Sequence, residues 1–212
     1  MADNRHHKMI KPWLLHTQII AGTEFSFVAI YLGLSILLYS WGIIGHEPVL
    51  GDEEVLVIRQ LFYLLVPIIL GIAWVLRRSF LSEKLLSTFK ERKRDDILLI
   101  VTVVMTPPGG WMALMFGLTD IVSYYRLKKA MNNEEGKKLL FLLRQYRMAI
   151  WSTFSLYSFI AVLGMLSFFL SARTTDFGIH LAVSAAFMGY FFPTKSKFQT
   201  ILTPSMKRQP SG

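Results

Sequence analysis

The chain of 212 residues contains no cysteine. This absence excludes disulfide bonds, thiol chemistry and metal or cluster sites that depend on cysteine ligands. The sequence also has no HExxH motif, no histidine box and no pair of carboxylates on one helical face, so the usual patterns of metal-dependent or acid–base catalysis are missing. We therefore expect no cofactor, and the sequence does not favour a haem or a metal ion.

Charged residues are scarce as well. They make up 17% of the chain, whereas a soluble domain carries about 25%. Hydrophobic residues make up 53%, and the mean hydropathy is +0.43. These values predict an all-α integral membrane protein in contact with the lipid bilayer. The net charge of +9 then follows from basic loops that face the cytoplasm and attract anionic lipids. We expect no nucleic-acid partner, because no binding motif is visible.

Four apolar segments are predicted to cross the membrane as helices. They cover residues 24–45, 55–76, 149–170 and 177–192. The last has only 16 residues, so it must sit steeply or thin the bilayer. The residues just before 149 contain neither proline nor glycine, which predicts one long helix that projects into the cytoplasm.

Residues 19–193 are predicted to form a single membrane domain, with one short segment before it and one after it. Residues 1–18 form a cytoplasmic basic arm that lacks the apolar core and the cleavage site of a signal peptide, so the first segment is expected to be a retained anchor. Residues 194–212 have four basic residues and no acid, which indicates a disordered tail.

A further apolar segment, residues 97–118, is long enough to span but is flanked by basic residues on both sides. The flanks, 77–96 and 119–148, each carry seven Lys or Arg. Because basic loops stay on the cytoplasmic side, these flanks favour a re-entrant helical hairpin over 97–125. The hairpin would turn at Pro107, Pro108, Gly109 and Gly110. The alternative is a fifth span kinked by proline, which membrane helices tolerate.

The distribution of basic residues also predicts the orientation. With a hairpin, 21 of the 23 Lys and Arg lie on the cytoplasmic side, and both termini are cytoplasmic. A fifth span would move the last loop and the tail, with 11 basic residues, to the outside. The bacterial inner membrane is the expected location.

Three ionisable residues are candidates for an intramembrane polar site, namely Glu24, Arg59 and Asp120. Glu24 is the one acid inside a predicted span, and such residues often mark function. The alternatives for Glu24 are a position at headgroup level or a structural pair with a basic loop residue. For Arg59, a structural role is favoured over ion or substrate binding. Its candidate counter-ions are Glu53, Glu54 and Asp176.

Two histidines near the predicted outer boundary, His46 and His180, are weak candidates for metal or haem ligands. Both lie at segment ends on different helices, as ligands of a shared iron would. Burial and correct facing are also required, and the sequence indicates neither.

Small and hydroxylated residues recur on the last two segments. The predicted packing or partner faces comprise Ser152, Ser155 and Ser158 on one helix, and Ala182, Ala186 and Gly189 on the next. In lipid, such surfaces allow helices to approach closely and to form interhelical hydrogen bonds. The partner could be another part of this chain or another protein, and a polar pore lining is a further alternative.

From these features we expect a non-catalytic accessory or scaffold subunit of a larger membrane protein complex. The first alternative is a small transporter or channel that uses the hairpin, with Glu24 and either Thr106 or Asp120 as polar groups. A less favoured alternative is an enzyme that acts on lipid headgroups with basic residues as phosphate binders. The sequence shows no nucleophile or general base for such an enzyme.

Overall fold

The computed structural model describes residues 2–43, 51–81 and 134–200, and within these ranges all regular structure is helical. Four long helices are formed: α1 (Ala2–Ser40), α2 (Asp52–Phe80), α3 (Glu134–Ser171) and α4 (Thr174–Phe191). Residues 195–200 are also helical. The all-α prediction is confirmed for this part of the chain. The proposed hairpin 97–125, with its Pro-Pro-Gly-Gly turn, lies outside the described residues, as do Asp120 and His46.

Three of the helices are long and apolar enough to cross a membrane. The candidate spans are Thr17–Ser40, Asp52–Phe80 and Leu139–Ser171. They support a membrane protein, as the composition predicted. Helix α4 is not among these three; its 18 residues extend about 27 Å, close to the thickness of a hydrocarbon core.

Helix α1 both begins and ends earlier than the predicted segment 24–45. Its end is set by Gly42, which has a φ of 70°. The Gly42 N–H donates to the Tyr39 carbonyl, and the Ile43 N–H donates to the Leu38 carbonyl, both at 3.0 Å. This pattern is a Schellman motif, in which glycine adopts the left-handed conformation that ends a helix. At its start, α1 includes most of the predicted arm 1–18, since it is helical from Ala2.

The two ends of α2 carry charges that complement its dipole. Asp52, Glu53 and Glu54 occupy the first turn, and Arg77 and Arg78 the last. Glu54 Oε2 also accepts a hydrogen bond of 3.2 Å from the Gly51 N–H, as in a capping box.

Helix α3 is continuous from Glu134, so it is longer than the predicted segment 149–170, as the absence of proline and glycine just before residue 149 indicated. It does not project into solvent, however, because every residue from 139 to 151 is buried. Its link to α4 is only two residues long. Ala172 has a φ of 57°, a left-handed conformation that is costly for a residue with a Cβ.

The described residues belong to two compact units. Unit 1 comprises 1–21, 76–152 and 192–212, and unit 2 comprises 22–75 and 153–191. In unit 1, Ile20 packs on Trp151, and Gln18 Nε2 donates to the Pro193 carbonyl at 2.9 Å.

The beginning of the predicted disordered tail is ordered in unit 1. Phe198 is buried, and its ring centroid lies 5.0 Å from that of Tyr146. The Lys197 N–H donates to Thr194 Oγ1 at 3.3 Å, which caps the helical stretch. The structure therefore differs from the prediction of disorder at residues 195–200, because an aromatic residue anchors this stretch. Residues 201–212 lie outside the described part.

Contacts in unit 2 define the relative directions of its helices. Helix α1 runs parallel to α3, since Glu24 contacts Ser158 and Tyr39 contacts Phe168 further along both helices. Helix α4 runs opposite to α3, because its start contacts the end of α3 through Phe177 and Phe168, while Phe191, at its end, lies by Tyr157.

Helix α2 runs parallel to α4 in the same unit. Arg59 contacts Asp176, and Tyr63, one turn later in α2, lies beside His180, one turn later in α4. Because α4 runs opposite to α3, α2 also runs opposite to α3. Within unit 2, α2 therefore ends near the place where α3 begins.

Candidate functional site

The predicted acid Glu24 is buried in unit 2, with only 6% of its surface exposed. Ser158, fully buried on α3, donates a hydrogen bond of 2.8 Å to Glu24 Oε2. Glu24 lies seven residues after the start of the candidate span Thr17–Ser40, about 10 Å along the helix. Two residues that the sequence singled out for separate reasons therefore form one contact between helices α1 and α3.

Two more hydroxyl groups lie on the buried side of α1. Tyr31 is 8% exposed and Ser35 is 2% exposed. Tyr31 is close enough to Glu24 for a direct electrostatic interaction. Neither Tyr31 Oη nor Ser35 Oγ has a hydrogen-bond partner within the described ranges, although both atoms are buried. Buried hydroxyls without a protein partner usually hold ordered water or another ligand.

A second polar cluster in unit 2 joins α2 to α4. Arg59 Nε lies 3.1 Å from Asp176 Oδ2, and the Tyr63 hydroxyl donates to Asp176 Oδ1 at 2.9 Å. The Arg59 guanidinium also lies over the Tyr63 ring, 5.6 Å from its centroid. Asp176 is 1% exposed and the Arg59 side chain is 38% exposed, so the carboxylate is buried and its cation is partly solvated. Of the three predicted counter-ions for Arg59, the structure selects Asp176.

His180 completes this cluster and is buried between helices. Its Nδ1 lies 2.7 Å from the Asp176 carbonyl, one turn earlier in α4. Its ring centroid is 5.2 Å from that of Tyr63. On the α3 side, a Cβ added at Gly164 would lie 2.6 Å from the Cβ of His180, so the two backbones approach closely here.

The second ring nitrogen of His180 is also buried. His180 Nε2 has no hydrogen-bond partner within the described residues. The described residues contain no group of three or more His, Asp or Glu that could hold a metal ion. His46, the other predicted ligand, lies outside the described residues, so the pairing of these histidines stays a prediction.

The serines predicted on α3 have different environments. Ser158 contacts Glu24, whereas half-buried Ser152 donates to the Met148 carbonyl of its own helix at 2.6 Å. Half-buried Ser155 places its Oγ away from solvent with no hydrogen-bond partner in the described part. Within the described residues, only Ser158 of the three therefore forms an interhelical hydrogen bond, and it does so inside the chain.

The small residues predicted on α4 lie on its exposed side. Ala182, Ala186 and Gly189 are all exposed, and Gly178, one turn before Ala182, extends the row. We call these four residues the small face of α4. The opposite side of α4 is buried, with Leu181, Ser184 and Met188 among its residues.

The exposed sides of α1 and α2 have a different composition. They carry mostly large apolar side chains, with a few small residues such as Ala29, Gly33 and Gly71 between them. Examples of the large side chains are Ile30, Leu34, Ile36, Leu61, Leu64, Ile68 and Trp74. Large apolar side chains suit lipid tails, whereas small residues suit close contact with another helix.

Sequence reasoning missed the involvement of Tyr63 and Gly164. The four-residue spacing of Asp176 and His180 places both on one face of a helix and was an available signal. Nothing in the sequence indicated which residues of α2 and α3 would face them. Comparison with protein-family models, with curated proteins and with solved structures finds no match to this chain.

Proposed function

We propose that this protein is a non-catalytic accessory or scaffold subunit of a larger membrane protein complex. The observation that carries the proposal is the small face of α4, in which Gly178, Ala182, Ala186 and Gly189 form a continuous exposed row, whereas the exposed sides of α1 and α2 in the described residues carry mostly large apolar side chains. Lipid tails are as apolar as leucine, so helix association in a bilayer depends on close packing and hydrogen bonds. A row of small residues at spacings of four, four and three offers such packing to a partner helix.

The proposed membrane topology has four spans and a re-entrant hairpin at 97–125. Helix directions in unit 2 support it. If α2 and α3 cross the membrane in opposite directions, α2 ends on the side where α3 begins. The segment between them must therefore start and finish on that same side. A single fifth span would instead require α2 and α3 to run in parallel.

The same topology places both termini and 21 of the 23 basic residues in the cytoplasm. We favour the bacterial inner membrane as the location. The Pro107–Gly110 turn would then lie at membrane depth, where irregular backbone needs protein around it or a wet cavity. A partner subunit would supply that protein.

The proposal is tested by enlarging the small face without making it polar. In the test variant, Ala182, Ala186 and Gly189 are each replaced by Leu. In the control, Ala29, Gly33 and Gly71, which are exposed on α1 and α2, are each replaced by Leu. A Cβ at Gly33 or Gly71 would meet nothing within 4 Å, so the control adds similar bulk on faces that we assign to lipid.

The measurement is particle size on native electrophoresis after mild detergent extraction, together with co-purification of partner chains. We expect a large particle for the wild-type protein and the control, and loss of the partners from the test variant, which still inserts. A wild-type protein that runs alone would refute the subunit proposal. Partners that remain on the test variant would refute the role of the small face.

A small transporter or channel is the second candidate. Buried Glu24 and its hydroxyl neighbours favour it, because intramembrane acids often line transport pathways. A wild-type protein that runs alone in the native-size experiment would promote this alternative.

A further inference from the structure

The contact between α1 and α3 leaves one oxygen of Glu24 without a protein partner. Ser158 donates to Oε2, and Oε1 has no hydrogen bond within the described residues. No Lys, Arg or His pairs with Glu24 there either, so the groups that face it are Ser158 from α3 and Tyr31 from α1. An ionised carboxylate away from water is stable only with a cation or several donors nearby. One serine is a single hydrogen-bond donor, which is too few for an ionised carboxylate. A bound proton would neutralise the charge.

The hydroxyls along α1 provide a route by which such a proton could move. Side chains of a helix lean towards its N-terminus, so the Tyr31 phenol extends back towards Glu24, which lies two turns earlier. Ser35 lies one turn beyond Tyr31, nearer the end of α1 at Ser40. Tyr31 Oη and Ser35 Oγ are both buried without a partner, which is the condition under which proteins retain internal water.

We propose that Glu24 is a proton-binding site that exchanges its proton through internal water held by the hydroxyls of Tyr31 and Ser35. In the binding step, a hydronium ion transfers a proton to Glu24 Oε1, forming the carboxylic acid and leaving water. A metal ion is a poorer occupant, because it needs more oxygen ligands than the one carboxyl and one hydroxyl that meet here. This inference goes beyond the proposed scaffold role and depends only on contacts between α1 and α3 in unit 2.

The test is infrared spectroscopy of the full-length protein reconstituted in liposomes. We expect a C=O stretching band of a protonated carboxyl that is absent from Glu24→Gln and present in Glu53→Gln, a matched change at an exposed acid. In D2O the band should shift as the proton exchanges. No band assignable to Glu24, or a band that D2O leaves in place, would overturn the proposal.

The hydroxyl route is tested with Tyr31→Phe, which removes only the phenolic oxygen. The carboxyl band should persist, and its exchange should slow by about tenfold, as expected when one bridging hydrogen bond is lost from the pathway. Tyr190→Phe is the control, because Tyr190 is 73% exposed. Equal exchange rates for Tyr31→Phe and the wild type would contradict the route.

A second variant keeps the assignment testable if Glu24→Gln does not accumulate. Ser158→Ala removes the donor to Oε2 and should shift the carboxyl band to higher frequency without abolishing it. A band at an unchanged frequency in Ser158→Ala would show that it does not arise from Glu24.

Discussion

The close approach of α3 to α4 at Gly164 gives a sharp test of the packing in unit 2. In Gly164→Ala, the new Cβ would lie 2.6 Å from His180 Cβ and 3.4 Å from the Phe177 carbonyl oxygen. The first distance is well inside van der Waals contact, and both atoms are fixed close to the backbone. One helix must therefore move, and overpacking of this kind costs about 1–3 kcal/mol.

Other glycines in the same unit act as controls for the intrinsic effect of the substitution. Gly33→Ala and Gly71→Ala place a Cβ where nothing lies within 4 Å. In a helix, alanine is favoured over glycine by about 1 kcal/mol. These controls should be neutral or slightly stabilising, and because Gly164→Ala has the same intrinsic gain, the gap between them should equal the overpacking cost of about 1–3 kcal/mol.

The predicted clash involves the Cβ of His180, so a double-mutant cycle of Gly164 and His180 can test it. His180→Ala retains the Cβ, so it should not relieve the strain of Gly164→Ala, whereas His180→Gly removes the contact and should relieve it. The assay is reversible unfolding in mixed micelles, with each single variant measured alone. Equal stabilities for Gly164→Ala and the glycine controls, or rescue by His180→Ala, would show that α3 and α4 do not approach as described.

Two further predictions concern the charge pair and the topology. Arg59→Gln should destabilise the protein by about 3 kcal/mol, because it leaves the buried Asp176 carboxylate without its cation. Asp176→Asn should destabilise it by only about 1 kcal/mol, because the Arg59 side chain that it leaves unpaired is partly solvated. Unfolding measurements that give the reverse order would contradict this assignment of burial. Single cysteines at Ser87 and Asn133, in a chain with no native thiol, should react with an impermeant maleimide only after cells are opened. Labelling of Asn133→Cys from outside intact cells would establish a fifth span.

The sequence predicted the helical class and the main apolar segments, because both depend on local composition. It also identified Glu24, Ser158, Arg59 and Asp176 as residues of interest. It could not pair Glu24 with Ser158, which lie 134 positions apart, since no local pattern encodes contacts between distant helices. For the same reason, the sequence could not show that the part of α3 before residue 149 is buried, as it is at Arg147, which is 2% exposed.

The buried faces of α1, α3 and α4 carry polar residues beside apolar ones. In a soluble protein the buried face of a helix is its apolar stripe. In α1 the exposed side is mostly apolar, and the polar residues Thr17, Glu24 and Ser35 are buried.

The same pattern holds in α3 and α4, where Thr153, Ser158 and Ser184 are fully buried. Ser184 donates to the Tyr157 carbonyl at 2.7 Å, so its burial is matched by an interhelical hydrogen bond. Because both sides of such a helix are largely apolar, hydrophobic periodicity could not distinguish the lipid side from the protein side. The spacing of small and hydroxylated residues did not distinguish them either, because Ser158 contacts another helix whereas Ala182, Ala186 and Gly189 are exposed. The small face of α4 has the composition of a packed surface but no covering residues in the described part of this chain, which supports the proposal that another protein covers it.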